Sequence, residues 1–286
     1  MNPFKAISEL RKKIYDVVGL LKGLHDIRDL VLFDNSRQIQ LSHPNPLNAF
    51  VKKCFSQADE DGITLEILRR LGNIHNGVYA EYGVGDGVEN NTLILAALGW
   101  TGFWVGGQEL KPDINSGRGE KFQYVKQWIT LENILEISEQ CLSKIKKQYI
   151  DVISLDLDGN DIHFIKHLLA SGLRPKLFIA EYNAKFPPPV EFEIAYDPQH
   201  MWGGDDYLGA SLSSLEKLFK QFNYKLVCCN AQTGLNAFFI DCQYSELFTD
   251  VPKEIEQIYV RPRYIIYRQY GYPGADKTIE RIFDAL

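Results

Sequence analysis

Glu81-Tyr82-Gly83-Val84-Gly85-Asp86-Gly87 closes the apolar run Val78 to Tyr82 and precedes an apolar-periodic segment from Thr92 to Leu98. A strand, a glycine turn and a helix in that order predict a βα unit, with the turn at the carboxyl end of the strand where open α/β sheets bind ligands. Glycines at 83, 85 and 87 let the backbone turn sharply and approach a ligand without a Cβ in the way. The spacing is G-x-G-x-G, whereas a dinucleotide fingerprint needs its last glycine at 88, where the chain has Val88. Glu81 and Asp86 would repel a pyrophosphate and suit a ligand carrying an ammonium and hydroxyls. A tight βα turn with no ligand is the plainer alternative.

On either side, segment types alternate. A helix pattern over Ile63 to Leu71 comes before the first strand, and Phe103 to Val105 and Phe122 to Val125 follow as strands. A helix (Leu131 to Lys146), a strand (Val152 to Leu155), a helix (Ile162 to Leu169) and a strand (Leu177 to Ala180) come next. That order predicts parallel βαβ units in a doubly wound sheet, an α/β fold. A helix (Ser214 to Phe222) then leads to Lys225 to Cys229 and Ala237 to Asp241, joined by the turn from Asn230 to Gly234, a hairpin that implies an antiparallel strand near one edge. The uncharged stretch Asn90 to Gln108 is long enough for a membrane span but reads as helix, Gly99-Trp100-Thr101-Gly102 turn and buried strand.

The composition of the 286 residues, 45% hydrophobic and 24% charged, is that of a globular protein. With 31 basic against 37 acidic residues, no positive excess exists to neutralise a nucleic-acid backbone. Five cysteines without a C-x-x-C pair suggest neither disulfides nor structural zinc, and the charged N-terminus has no secretory h-region, so the chain reads as cytoplasmic. Residues 1–45 read as an N-terminal helical extension, 46–245 as the α/β domain and 246–286 as a C-terminal extension, with the first boundary at His43 to Pro46. The extension carries one apolar stripe from Ile7 to Val31, interrupted at Arg28. It suits packing on its own domain or a dimer seam; because the core already has its own helices, a homodimer is expected.

A second constellation, Asp156, Asp158, Asn160 and Asp161 after one strand with Glu181 and Asn183 after the next, should converge on the same cleft. Clustered carboxylates suit a general base raised in pKa by its neighbours or a hard divalent cation, and the Asp158 to Asp161 turn suits a helix cap as well. Alternation along the strand puts Asp156 and Asp158 on one side, with Asp158 further past its end and closer to an acceptor. His163 and His167 lack the glutamate of a zinc H-E-x-x-H helix and read as packing or surface residues. The loop Tyr196 to Tyr207 offers Tyr196, Trp202 and Tyr207 for stacking on a polyhydroxylated acceptor, or is a folded lid. Arginines and tyrosines over Tyr259 to Tyr272 suit a packed extension or an anion site.

The glycine motif, together with Phe55-Ser56-Gln57, Asn91-Thr92, Ile129 to Ile134, Ser154 to Asp161, Ile179 to Asn183 and Asn236-Ala237-Phe238-Phe239, resembles class I S-adenosylmethionine-dependent methyltransferases, and more narrowly the FkbM-like group. The resemblance spans about residues 54–243. It implies a Rossmann-like, mostly parallel seven-stranded sheet with an antiparallel last strand and S-adenosylmethionine as cofactor. It implies that Gln57, Glu81, Gly83, Gly85, Gly87, Asn91, Thr92 and Asp156 bind the cofactor and that Asn236 faces the acceptor. After the second strand the family usually has an acid for the cofactor ribose; here Gln108 stands in that region and can bond hydroxyls. Asn183-Ala184-Lys185-Phe186-Pro187 departs from the Asn-Pro-Pro-aromatic loop of nucleic-acid amino methyltransferases.

The expected activity is therefore methyl transfer from S-adenosylmethionine to an oxygen of a small polar acceptor. The acceptor class implied is a sugar or cell-surface glycan precursor, its phosphoryl-type decoration, or a secondary metabolite. Asp158, Glu181 and Asn183 are the expected catalytic residues. A metal-free base is favoured over a metal at Asp156, Asp158 and Glu181, since no His-rich or EF-hand-like ligand set accompanies the acids. The competing readings are an NAD(P)-dependent oxidoreductase and a non-catalytic scaffold; neither nucleic acid nor a membrane span is expected.

Overall fold

Short apolar runs, many of them β-branched or aromatic, cannot complete a helix stripe and form strands instead. They are β1 (Val78–Tyr82), β2 (Thr101–Gly106), β3 (Phe122–Lys126), β4 (Val152–Leu155), β5 (Leu177–Glu181), β6 (Tyr224–Cys229) and β7 (Asn236–Asp241). The structure is a computed structural model and describes residues 3–114, 119–262 and 276–284. The strands form one sheet in the order β3-β2-β1-β4-β5-β7-β6. β1 to β5 pair in parallel, and β7 runs antiparallel to both β5 and β6. The fold is thus the expected Rossmann-like seven-stranded sheet with β7 reversed. β7 lies one strand in from the edge, because the hairpin folds back between β5 and β6.

Helices α2 (Glu60–Arg70), α3 (Leu93–Ala97), α4 (Ile134–Lys144), α5 (Asp161–Ala170) and α6 (Leu212–Gln221) connect and cover the strands. The core between them is dense with large side chains, including fully buried Trp100, Trp104, Tyr79, Phe103, Phe178 and Phe239. The 90–108 stretch is α3, a turn with Gly99 at φ +82°, and β2, as its punctuation predicts. No helix among the described residues is long and apolar enough to cross a membrane.

Beyond the hairpin, α7 (Ile255–Ile258) and α8 (Asp276–Asp284) continue the chain. α8 returns to the β2–β3 edge, where Phe283 packs 5.4 Å from Trp104 and 4.3 Å from Phe122, ring centre to ring centre. Arg263, Tyr264, Tyr267, Arg268, Tyr270 and Tyr272 of the expected arginine and tyrosine cluster lie outside the described residues.

At the other end α1 (Pro3–Ser42) continues past the Ile7 to Val31 stripe, because strong helix formers such as Arg37, Gln38 and Gln40 carry it on until Pro44. Gln40 Nε2 donates to Val51 O at 2.8 Å and ties its last turn to the domain. The apolar stripe does not pack on its own domain. Leu10 is 60% exposed and Leu21 51%.

The chain reverses its strand order between β1 and β4, so the carboxyl ends of these neighbours flank an open crevice. The glycine turn follows β1 and the Asp156 segment follows β4, which is how two stretches some 70 residues apart come to share a site.

Candidate active site

Gly83 opens the turn at φ +94°, and a Cβ there would lie 1.6 Å from Asp156 O. No side chain fits between the two strand ends, so glycine is required for β1 and β4 to meet as they do. Gly85, at φ +53°, has nothing within 4 Å of its missing Cβ and leaves its side of the crevice open. Gly87 packs against Leu110 and shapes the turn from behind. Glu81 is only 6% exposed and accepts from Asn91 N at 2.9 Å and Thr92 N at 3.0 Å. The Thr92 hydroxyl also donates to Glu81 and accepts from Trp104 Nε1 at 2.8 Å. Burial pushes the Glu81 carboxyl up to about 7 against the opposing pull of these donors. Glu81 therefore fastens the start of α3 while forming part of the crevice wall, and Thr92 acts through it.

Two connected hollows of about 290 Å³ and about 410 Å³ share Gly83, Gly85, Gln108, Asp156 and Asp158. The smaller adds Gln57, Glu81, Asp86, Glu89, Asn91 and Asn236 to its wall. Among the described residues, no lysine or arginine lines either hollow, though Lys111 and Lys53 pair from outside with Asp86 and Glu89. The larger extends over Trp128, Leu157, Phe164, His200 and Trp202. Another recess, of about 700 Å³ around Lys185, Pro188 and Arg261, shares no residue with them and touches none of the strand-end acids. Gln57, Glu81, Gly83, Gly85, Asn91, Gln108 and Asp156 thus converge as the sequence led us to expect, with Asn236 and Trp202 beside them.

Asp156, Asp158 and Glu181 place carboxylate oxygens within 4.8 Å of one another, the only such His, Cys, Asp or Glu group found among the described residues. Burial first, then the charges of Asp158 and Asp161, push Asp156 up to about 8. Glu181 is raised well above the usual carboxylate range, by burial and then by the charge of Asp156, to which it lies close. Its Oε2 is buried without a hydrogen-bond partner. Asp158 stands exposed at the rim with φ +54°, raised by partial desolvation and pulled down by His200.

Asp161, in the first turn of α5, holds the loop that leads into the helix. It accepts from Leu157 N at 2.8 Å and Gly159 N at 2.9 Å, while the N-cap position, Asn160, makes no side-chain cap bond. Asn183 is 2% exposed, donates to Asp206 O and Leu208 O at 3.0 Å each, and accepts from Lys185 N. It shapes the loop after β5 and does not reach the hollows. Tyr196 anchors the same loop, its hydroxyl accepting from Leu131 N at 3.1 Å and its ring lying across His163 and Phe164. Tyr207 is exposed beside His200. His163 Nε2 bonds Ile194 O at 2.8 Å, the packing role its sequence suggested.

Two groups were given no site role from the sequence. The first is the run Asp59, Glu60 and Asp61 at the start of α2, all 1% exposed or less, of which Glu60-Asp61-Gly62 belongs to the stretches that carry the resemblance. Asp61 Oδ2 gathers the amides of Cys54, Phe55 and Ser56 at 2.7 to 2.9 Å and so shapes the loop that carries Gln57. Asp59 accepts from Asn230 Nδ2 and Ala231 N at 3.0 Å, and Glu60 Oε1 accepts from Asn236 Nδ2 at 3.1 Å. One helix N-terminus, where negative charge is favoured, thereby holds two walls of the crevice. The second is His200, whose ring rests on Gly159 and whose Nε2 is buried without a partner in the larger hollow. Its loop is fastened by Trp128 Nε1 to Pro198 O at 2.8 Å and Asn160 Nδ2 to Asp197 O at 2.7 Å. Only long-range contacts create these roles; the local cue for His200 was its place in a loop mixing aromatics, acids and glycines.

The polar wall of the smaller hollow fits S-adenosylmethionine. It is rich in acceptors, with the buried Asn90 Oδ1 and Asn236 Oδ1 lacking partners, and its excess of carboxylates suits an ammonium and a sulfonium. The Asp156, Asp158 and Glu181 trio is also chemically suited to a hard divalent cation.

No protein-family model and no curated protein sequence matches the chain. Among solved structures, it is similar to a prophage-encoded candidate DNA modification methyltransferase (E. coli), at 14% identity and TM-score 0.34, over 59% of this chain and 47% of that one. It is similar to the fibrillarin/Nop5p complex at 12% and 0.33, over 62% and 78%. It is also similar to CalO1, a methyltransferase in calicheamicin biosynthesis in its S-adenosylhomocysteine-bound form, at 14% and 0.33, over 62% and 52%. The chain thus spans about half the length of the first and third. The fold assignment rests on the strand order itself.

Proposed function

We propose that this chain transfers a methyl group from S-adenosylmethionine to an oxygen of a small polar acceptor. The observation that carries the reading is the acid-rich hollow between the glycine turn and Asp156. A pyrophosphate would meet Glu81, Asp86, Glu89, Asp156 and Asp158, of which Lys111 offsets only Asp86 and Lys53 only Glu89, an acidic excess that disfavours an NAD(P)-dependent oxidoreductase. In this reading Gln57 and Asn91 hold the amino-acid end of the cofactor and Gln108 its ribose hydroxyls, and Asn236, expected to face the acceptor, is reassigned to the cofactor because it lines the smaller hollow. When bound, the cofactor supplies a methyl group already activated by its sulfonium, so the protein's work is alignment and proton management.

Asp158 is the base in this reading: it lies at the rim between the two hollows, where its own partial desolvation raises its carboxyl against the opposing pull of His200. Glu181, keeping its proton, orients Asp156. Asn183 is reassigned from catalysis to shaping the loop after β5. Trp128 and Trp202 give the larger hollow two aromatic faces suited to a hydroxylated ring, which supports a sugar or glycan precursor, its phosphoryl-type decoration, or a ring-bearing secondary metabolite. A divalent metal at Asp156, Asp158 and Glu181 is the less favoured variant, because no fourth ligating His, Cys or acid joins them among the described residues. The test is S-adenosylhomocysteine release over a panel of nucleotide-linked sugars, phosphorylated sugars and phenolic metabolites. Release with at least one class, lost in Asp158→Asn and insensitive to chelator, is expected; a protein that binds the cofactor yet methylates no oxygen acceptor would return the scaffold reading.

A further inference from the structure

Hydrophobic side chains recur along α1 in a heptad. Ile7, Ile14 and Leu21 hold one seam position and Leu10, Val17 and Leu24 the other, each 51% to 60% exposed. Val31 continues the seam, and Val18, Leu20 and Ile27 widen it. Nothing among the described residues covers this face, and the helix is neither long-apolar enough to span a membrane nor packed on its own domain. Burying one large aliphatic side chain removes on the order of 100 Å² from water. The ten side chains just named therefore offer about 1,000 Å², more than the roughly 800 Å² per partner of a stable specific interface.

Charge decides the orientation. Residues 9–13 hold Glu9 with Arg11, Lys12 and Lys13, a net +2, while 26–34 hold Arg28 with Asp26, Asp29 and Asp34, a net −2. A parallel pair would set like segments side by side, whereas an antiparallel pair sets each basic segment beside the other helix's acidic one.

We propose that the α1 helices of two copies of this chain pair as an antiparallel coiled coil. In the register that matches both seams about Gly19, Val17 of one helix opposes Leu21 of the other, Ile14 opposes Leu24, and Ile7 opposes Val31. Arg28 falls opposite Leu10, with its aliphatic stem over the leucine and its guanidinium held by Asp29 at 2.7 Å. A polar residue at one seam position fixes register in such pairs. The 40-residue helix is about 60 Å long, so the antiparallel arrangement carries the two α/β domains at opposite ends of a rod with both crevices open.

Light scattering on the full-length chain, with Cys54→Ser to remove the exposed thiol, should give twice the monomer mass, and Leu21→Asp with Leu24→Asp should halve it. Both substituted side chains are exposed in one copy, so the α/β domain should keep its far-ultraviolet circular dichroism. For orientation, oxidising a mixture of Ile14→Cys and Leu24→Cys chains should yield a disulfide-linked heterodimer, and Leu10→Cys alone should yield none. A monomer, a larger assembly, a dimer that survives the double aspartate, or self-crosslinking at position 10 would each overturn the proposal. A monomer that sediments with anionic phospholipid vesicles would overturn it in favour of a membrane-surface role.

Discussion

Gly83 and Asp158 are the residues on which the crevice turns. Gly83→Ala would drive a Cβ into the Asp156 carbonyl while holding alanine at φ +94°. It should lower the unfolding temperature and abolish ligand binding together, as thermal denaturation with and without ligand would show. Asp158→Asn asks a different question, because the rim position is exposed and the change is isosteric. Turnover should fall on the order of 10²-fold while cofactor affinity stays within a few-fold; single-turnover kinetics and a binding titration separate the two. The glycine turn was legible because everything it needs lies within seven residues: strand, acid, glycines. Asn183 was misread for the opposite reason. It follows β5 as a catalytic residue would, but its amide is spent on carbonyls at 206 and 208, contacts that spacing along the chain does not reveal.

Among the elements, α2 and the loop after β5 do what the sequence showed least. Three consecutive acids at a helix start each fix a different partner, Asp61 the amides of Cys54 to Ser56, Asp59 the amide of Ala231 and Glu60 the side chain of Asn236, and the last two are disclosed only by the folded arrangement. The loop over residues 183–211 is fastened back onto β3 and α5, and His200 seats on Gly159 with no room for a side chain: a Cβ there would come within 2.2 Å of the ring. Gly159→Ala should therefore unseat the loop without breaking the sheet. We expect faster limited proteolysis between residues 197 and 207 and turnover reduced about 10-fold or more, with the melting temperature little changed. A loop as protected as in the wild type would show that His200 is not its seat. The βα alternation, the hairpin and the α1 stripe were readable because hydrophobic period reports which face is buried; what α1 is buried against was not, because period alone does not name a partner.

For the whole molecule, buried acids set the response to pH. Glu81 and Asp59 both rise to about 7, chiefly through burial. Unfolding returns them to ordinary carboxylates, so between those two ranges the folded protein binds more protons than the unfolded one. Their contribution to stability is complete below the unfolded values and is lost as the pH climbs through about 7. The melting temperature of the ligand-free protein should consequently fall by several degrees from about pH 5.5 to about pH 8.5. Differential scanning calorimetry across that range checks the sign, and a midpoint that rises throughout would refute the assignment of these two groups. A cationic ligand in the crevice should shrink the drop, since it favours ionised acids.

We propose that the hollow beside the glycine turn is built for S-adenosylmethionine. Isothermal titration of the full-length chain with S-adenosylhomocysteine tests it most directly, with NADH titrated in parallel. The account predicts saturable binding of one S-adenosylhomocysteine per chain, weakened by Asn236→Ala and absent in Gly83→Ala, and no saturable heat with NADH. No binding at millimolar S-adenosylhomocysteine, or saturation by NADH instead, would contradict it.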